Sequence, residues 1–289
     1  MNSSTTVMNW KYVQRNADKF LASGLKQLSS GESVPINSKF NTETGNYIIS
    51  HGKISYIGEA QDLNRRLKQH SKERTSTFFK NYLKKCKEGY QIKKGLSIEQ
   101  FGAKTISISF GRKELEEFGI VNLPAILNRF QLGKRDQFKD EISTTLWNRL
   151  QAEASELLEA GEKEFRIVKF NDWFDSNPKP KPGLYWVETH KHGLIYIGES
   201  SDIRERWQTH SSKTYFSALR RHIGENILGF ELGEVSGRKR SFQDNEDMEV
   251  TNFIRRAKVK FFPVDLGRYE LEESLIRKHR PLLNRKDNK

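Results

Sequence analysis

The sequence predicts an α+β fold in two similar units, each a small, mainly antiparallel three-stranded sheet flanked by helices, and three observations carry that expectation. YIGEAQDLNRRLKQH, Tyr56 to His70, returns as YIGESSDIRERWQTH, Tyr196 to His210, with seven of fifteen positions identical. GRKELEE, Gly111 to Glu117, returns as GRYELEE, Gly267 to Glu273, with six of seven identical. A chain of 289 residues is also long enough for about two domains that each bury a core. A repeat of this kind defines the folding unit, so it is settled before the elements.

The elements of the two copies follow in the same order. A helical stretch around Trp10 to Leu28 precedes the first, and Ile142 to Ala160 precedes the second. Asn46 to Gly58 carries β-favouring residues on both sides of His51-Gly52-Lys53, which reads as a hairpin. Leu184 to Gly198 reads as the same hairpin with a longer turn. After each YIG the charged stretch has helical periodicity, with Leu63 and Leu67, or Ile203 and Trp207, on one face. A third strand near Lys104 or Lys260 then leads into the GR-x-ELEE helix. Upstream, Gly31-Glu32 and Lys39-Phe40-Asn41 align with Gly161-Glu162 and Lys169-Phe170-Asn171.

The repeat assigns the helix from Ile142 to the second copy and puts the domain division near Gln131 to Gln137, giving units of residues 1–131 and 132–289. Asn177 to Gly183, NPKPKPG, is too proline-rich for a helix or central strand and is expected as a loop. Phe78, Phe79 and Tyr82, like Tyr215 and Phe216, lie among basic residues, but their helical spacing favours core packing over base stacking. Ser236 to Asn245, SGRKRSFQDN, reads equally as a solvated loop or as an arm reaching into a groove, present only in the second copy.

Composition narrows the partners. Fifty Lys plus Arg against 37 Asp plus Glu give a net charge of +13 and a pI near 9.6, which favours a polyanion. Nothing approaches the apolar run needed to span a bilayer, and MNSSTTVMNW has no secretory pattern. Cys86 is the single cysteine, which excludes an internal disulfide framework and a cysteine zinc site. The expected compartment is cytoplasmic or otherwise intracellular. Gly161-Glu162-Lys163 lacks the upstream glycine spacing of a phosphate loop, so an ATP-driven motor is unsupported.

The polar residues kept through the repeat form one set: Tyr47, Tyr56, Arg66, His70, Glu116 and Asn128, matched by Tyr185, Tyr196, Arg206, His210, Glu272 and Asn284. Each Arg and His are four apart and share a helix face. Each asparagine lies twelve residues beyond its glutamate, after Pro124 or Pro281. A core has no need to keep such groups.

On these residues the sequence resembles the GIY-YIG nuclease family. The first motif reads Gly45-Asn46-Tyr47 and Gly183-Leu184-Tyr185, and the second Tyr56-Ile57-Gly58 and Tyr196-Ile197-Gly198. An arginine follows YIG by eight residues in both copies, with the histidine one turn later. Asn46 departs from the usual apolar residue of the first motif, and Arg206 to Glu272 spans 66 residues where Arg66 to Glu116 spans fifty. The resemblance implies metal binding by Glu116 and Glu272 and catalytic roles for the other ten residues. It implies the base role for the first-motif tyrosine and positioning of water or phosphate for the second.

The chemistry asks for an activated water, a cation near the developing phosphate charge and help for the leaving oxygen. A single carboxylate per copy is too few for a two-metal clamp, so one Mg²⁺ or Mn²⁺ per site is expected. Arg66 or Arg206 would neutralise the phosphate. A tyrosine of ordinary pKa ~10 is a poor base at neutral pH, so Tyr47 or Tyr185 needs the metal or the histidine beside it. The function expected is a restriction-type endonuclease, a single-chain pseudodimer that cuts both strands of double-stranded DNA, with a monomer in solution and a higher assembly on DNA both left open by the sequence. The rivals are a nicking or repair nuclease that uses one copy mainly for binding, and a non-catalytic nucleic-acid-binding protein.

Overall fold

The computed structural model describes residues 8–124, 126–128, 137–138, 143–212, 214–235 and 237–284. Contacts divide the chain into two compact units, Met1–Leu157 and Leu158–Lys289. The expected division between 131 and 132 lies outside the described residues.

Unit 1 opens with α1 (Trp10–Arg15) and α2 (Ala17–Ser30), two helices where the sequence suggested one. The break is Asn16, whose side-chain amide donates to the Tyr12 carbonyl at 2.9 Å. There follow β1 (Val34–Pro35), β2 (Gly45–His51), β3 (Ile54–Ala60), α3 (Leu63–His70), α4 (Thr77–Lys87), β4 (Gly102–Ser107), α5 (Arg112–Asn122) and α6 (Thr145–Ala152). The sheet is antiparallel, of order β1-β4-β2-β3, and so has four strands rather than three. The added strand is a two-residue segment ending in proline, too short to show a period and formed by its pairing with β4. Asp62 caps α3 through the Arg65 N–H, and Ser76 caps α4 through the Phe79 N–H.

α6 packs on unit 1. The Ser23 hydroxyl donates to the Ser143 carbonyl and accepts from the Trp147 N–H, while Gln151 bonds the main chain of Ser109 and Phe110. Trp147 is buried over Gly24, where a Cβ would stand 2.6 Å from the ring. These contacts place the helix that the repeat had assigned to the second copy in unit 1.

The division falls within α7 (Ala154–Arg166). Unit 2 continues with β5 (Asn171–Asp172), β6 (Gly183–Thr189), β7 (Gly193–Ser200), α8 (Ile203–Ser212), α9 (Ala218–Ile223), β8 (Gly233–Val235), β9 (Arg238–Ser241), α10 (Asp244–Arg255), β10 (Lys258–Pro263) and α11 (Arg268–His279). Its main sheet is antiparallel, of order β5-β10-β6-β7, again with four strands. Asn171 pairs with Val259 as Val34 pairs with Ala103, so Asn171 corresponds in register to Val34. The alignment of Asn171 with Asn41 matched loop letters that no pairing constrains.

The longer segment of unit 2 holds the β8–β9 hairpin and α10. Ser236, at the start of the basic arm, lies outside the described residues. Residues 176–182 have no helix or strand, as their prolines require. Phe78, Phe79 and Tyr82 are core residues, but Tyr215 and Phe216 are 42% and 60% exposed on a short 3-10 turn, where no helix face turns them inward. Among the described residues no helix is long and apolar enough to cross a membrane.

Candidate active site

Strand register brings the tyrosines together. Tyr47 pairs with Gly58 across β2–β3, and Tyr185 with Gly198 across β6–β7. Paired residues share a sheet face, so the phenol lies over the glycine. A Cβ on either glycine would stand 2.3 Å from the tyrosine hydroxyl, which is the physical reason that YIG ends in Gly. Tyr56 and Tyr196 lie two residues earlier on that face and stack on Tyr47 and Tyr185, with centroids 6.3 and 6.0 Å apart.

The following helix supplies the histidine. His70 Nε2 lies 2.8 Å from the Tyr47 hydroxyl, and His210 Nε2 lies 2.8 Å from that of Tyr185. Burial, with Arg66 beside it, pulls the His70 pKa down to about 3. Burial, with Arg206, Arg220 and Arg221 nearby, does the same to His210. Burial and the neighbouring tyrosine lift Tyr47 and Tyr185 well above the ordinary value. Tyr196 is pushed up to about 12 by burial and the charge of Glu272, and Tyr56 is raised by burial and Glu116. At neutral pH both imidazoles and all four phenols are therefore uncharged.

The surroundings differ between the units. His210 Nδ1 is 2.6 Å from the Ser217 hydroxyl, the cap of α9, and its carbonyl accepts from buried Arg220. His70 Nδ1 is buried with no hydrogen-bond partner, and its ring is instead bounded by Tyr47, Tyr56 and Phe78. Arg66 donates to the Tyr47 hydroxyl at 3.3 Å and to Gln69 at 3.4 Å. Arg206 is half-buried in the field of both tyrosines, and its guanidinium has no hydrogen-bond or ion-pair partner among the described residues.

α5 and α11 bring in the glutamates, each helix starting after a left-handed glycine, Gly111 or Gly267. Glu116 accepts from Lys113 Nζ at 2.6 Å, and burial holds its carboxyl above the usual range against that ammonium. Glu272 is half-buried and close enough to raise both tyrosines of its unit. Tyr269 stands in unit 2 where unit 1 has Lys113.

The asparagines do something other than face the reacting atoms. Asn128 accepts from the Ile57 N–H at 3.0 Å and donates to its carbonyl at 2.7 Å. Asn284 grips Ile197 in the same way at 2.9 and 2.7 Å. Each fixes the strand that carries its second tyrosine, which makes it a positioning residue. Two further pairs escaped the sequence reading: buried Arg112 with Glu59 at 2.9 Å, and buried Arg268 with Glu199 at 2.8 Å. They tie the glutamate-bearing helix to the YIG strand. The shared Arg of GR-x-ELEE was their signal, whereas Glu59 and Glu199 had read equally well as charges at a helix N-terminus. Asp62 and Asp202, shared in the same way, do accept from the first N–H groups of α3 and α8.

Among the described residues no three His, Cys, Asp or Glu side chains form a preformed metal cage. A hard cation would take one carboxylate oxygen and complete its shell from phosphate and water. Glu272, in the field of both phenols of its unit, and Glu116, which bonds the Lys113 ammonium, each offer such an oxygen. Phenols, an imidazole, a guanidinium and one carboxylate converging on a surface are the equipment of a phosphodiester-cleaving site. Residues 167–289 match the family described as the GIY-YIG catalytic domain, and the matched span includes Tyr185, Tyr196, Arg206, His210, Glu272 and Asn284. The match supports the GIY-YIG nuclease family, whose members hydrolyse phosphodiester bonds of nucleic acid and are generally dependent on a divalent metal. No curated protein and no solved structure matches the chain.

Proposed function

We propose that the chain is a restriction-type, metal-dependent DNA endonuclease, a tandem duplication of one nuclease unit that acts as a single-chain pseudodimer and cuts both strands of duplex DNA. The observation that carries this reading is the 2.8 Å bond from the first-motif tyrosine to the histidine, present in each unit with a YIG tyrosine stacked beside it. The shared order of the main sheets and the paired asparagine clamps support the duplication. The charge of +13 supports a polyanionic substrate.

The Tyr–His bond answers the difficulty of a weak tyrosine base. With the proton of neutral His210 on Nδ1, that N–H donates to the Ser217 hydroxyl, leaving the Nε2 lone pair to accept from Tyr185. Water passes a proton to the Tyr185 oxygen as that hydroxyl gives its own to Nε2, and the water oxygen bonds phosphorus. The bond to the leaving oxygen breaks, and that oxygen takes a proton from solvent. An entering phosphodiester anion raises the basicity of His210 by placing negative charge beside it, and Arg206 pairs with that anion. A metal ion on Glu272 would supply Lewis acidity at a phosphate oxygen.

Incubation of supercoiled plasmid with Mg²⁺ tests the reading. Linear product supports paired cutting, nicked circle supports a nicking enzyme that uses unit 1 mainly to bind, and retained supercoil with binding means a non-catalytic protein. The ammonium already on Glu116 favours the nicking alternative enough to keep it as the second reading.

A further inference from the structure

We infer that Tyr215, Phe216, Arg221 and Arg240 form a clamp for a single DNA strand beside the unit 2 site, the aromatic pair stacking an unpaired base and the two arginines holding its flanking phosphates. The clamp deepens the nuclease reading and rests on it for the identity of the ligand, while its geometry stands by itself. The 3-10 turn Thr214–Phe216 leaves both rings exposed, edge to face, with centroids 4.7 Å apart. An exposed aromatic face is a platform on which any base can stack. Arg221 lies one turn beyond Ser217, the cap that holds His210, and its main-chain N–H bonds the Ser217 carbonyl at 3.2 Å. Its Nη1 donates to the Thr214 and Tyr215 carbonyls at 3.2 and 2.8 Å, which fixes the guanidinium against the aromatic turn, and its Nε is buried with no hydrogen-bond partner.

The basic arm supplies the second cation. β9 packs against the same turn, and its pairing with β8 skips Arg240: Gly233 lies opposite Ser241 and Glu234 opposite Lys239. Arg240 is therefore the extra residue of a bulge, exposed and left-handed at φ 64°, a conformation an arginine rarely adopts. Bulges of this kind re-aim a side chain beside functional sites. Burial and the charge of Arg240 hold the Arg221 pKa below the ordinary value, against the pull of Glu225, so the two cations lie in each other's field and an anion between them relieves both. Arg221 also lies in the field of Tyr196 and His210, which sets the clamp next to the reacting groups. Unit 1 has no aromatic residue between His70 and Ser76, and among its described residues no hairpin between α4 and β4. A strand end freed by cutting supplies the unpaired base.

Fluorescence anisotropy of the full chain in EDTA tests this without requiring activity, with labelled oligo-dT compared against a duplex of the same length. The double variant Tyr215→Leu with Phe216→Leu keeps apolar area and removes both π faces. It should weaken binding of the single strand by about tenfold and of the duplex by less than about twofold. Arg240→Gly removes the charge and suits the left-handed backbone, so it should weaken both ligands and lower the slope of log affinity against log salt by about one. Wild-type affinity for the single strand in the double variant overturns the inference, as does an equal loss on strand and duplex. A loss accompanied by conversion of a dimer to a monomer in light scattering also overturns it, because the rings would then face a second copy of the chain. A chain that shows the selective loss but cuts no plasmid under any condition defeats the nuclease reading and leaves the clamp standing.

Discussion

Unit 1 and unit 2 set the same five side chains around a YIG hairpin, and they differ in what surrounds them. In unit 2 the imidazole is held at both nitrogens, by Tyr185 and Ser217, and the Arg206 guanidinium has no hydrogen-bond partner among the described residues. In unit 1 the imidazole is held at one nitrogen inside an aromatic box, Arg66 is engaged, and Lys113 covers the glutamate. The helix following the histidine makes much of this difference. Phe79 and Arg220 donate their N–H to the equivalent caps Ser76 and Ser217, so one position holds a core aromatic in unit 1 and a buried cation in unit 2. On the proposed reading the shared side chains are the reacting groups, and the two units differ in what supports them.

The largest effect expected from breaking this comparison is on the Tyr–His bond. Tyr185→Phe keeps the ring over Gly198 and removes the hydroxyl, so strand cutting by unit 2 should fall by about 10³-fold with plasmid binding retained. Single-turnover rates measure it, and a rate within a factor of about three of wild type would take the hydroxyl out of the chemistry.

A smaller effect is expected from the supports. Ser217→Ala removes the Nδ1 partner of His210 and should slow unit 2 by roughly 10- to 100-fold. Ser76→Ala, in a unit where the imidazole has no such bond, should cost only the helix cap, about 1 kcal/mol of stability. Equal rate losses from the two substitutions would show that Ser217 acts as a cap alone.

The histidines also set a pH dependence of stability. Both have pKa values lowered from 6.5 to about 3, so below pH ~6.5 the unfolded chain binds more protons than the folded one. Their contribution to stability is intact above that value and is lost as pH falls toward 3, by up to about 1.4 kcal/mol per pH unit for each histidine. Urea midpoints from pH 7 to pH 4 should drop, and His210→Gln should flatten the slope. An unchanged slope would mean that the ring is charged in the folded state.

The smallest expected change is at Asn46, buried in unit 1 with its Oδ1 unpaired where unit 2 has Leu184. Its Nδ2 donates to the Gly58 and Arg112 carbonyls at 3.3 and 3.0 Å, so Asn46→Leu should destabilise unit 1 by about 1 kcal/mol, read from the unfolding midpoint, because two buried carbonyls lose a donor.

Much of this arrangement was legible because the repeat compares the chain with itself. Hairpins, the Arg–His helix and the glutamate helix all follow from residues whose spacing is fixed by period 2 or 3.6. What was not legible depends on contacts distant in sequence. The two-residue strands exist only through pairing with β4 and β10, and α6 was misassigned because its apolar face did not reveal that Trp147 seats on Gly24. The ten expected catalytic residues divide into groups that face one another and asparagines that hold a strand, a distinction of direction that spacing alone does not carry.

The most direct test of the central claim is the fate of supercoiled plasmid with Glu116→Ala, Glu272→Ala and the double variant at saturating Mg²⁺. Each single variant should stop at the nicked circle with opposite strands cut, and the double variant should be inert while still binding DNA. If Glu116→Ala still linearises plasmid at the wild-type rate, unit 1 cuts neither strand, and the account of two strands cut by two sites is contradicted.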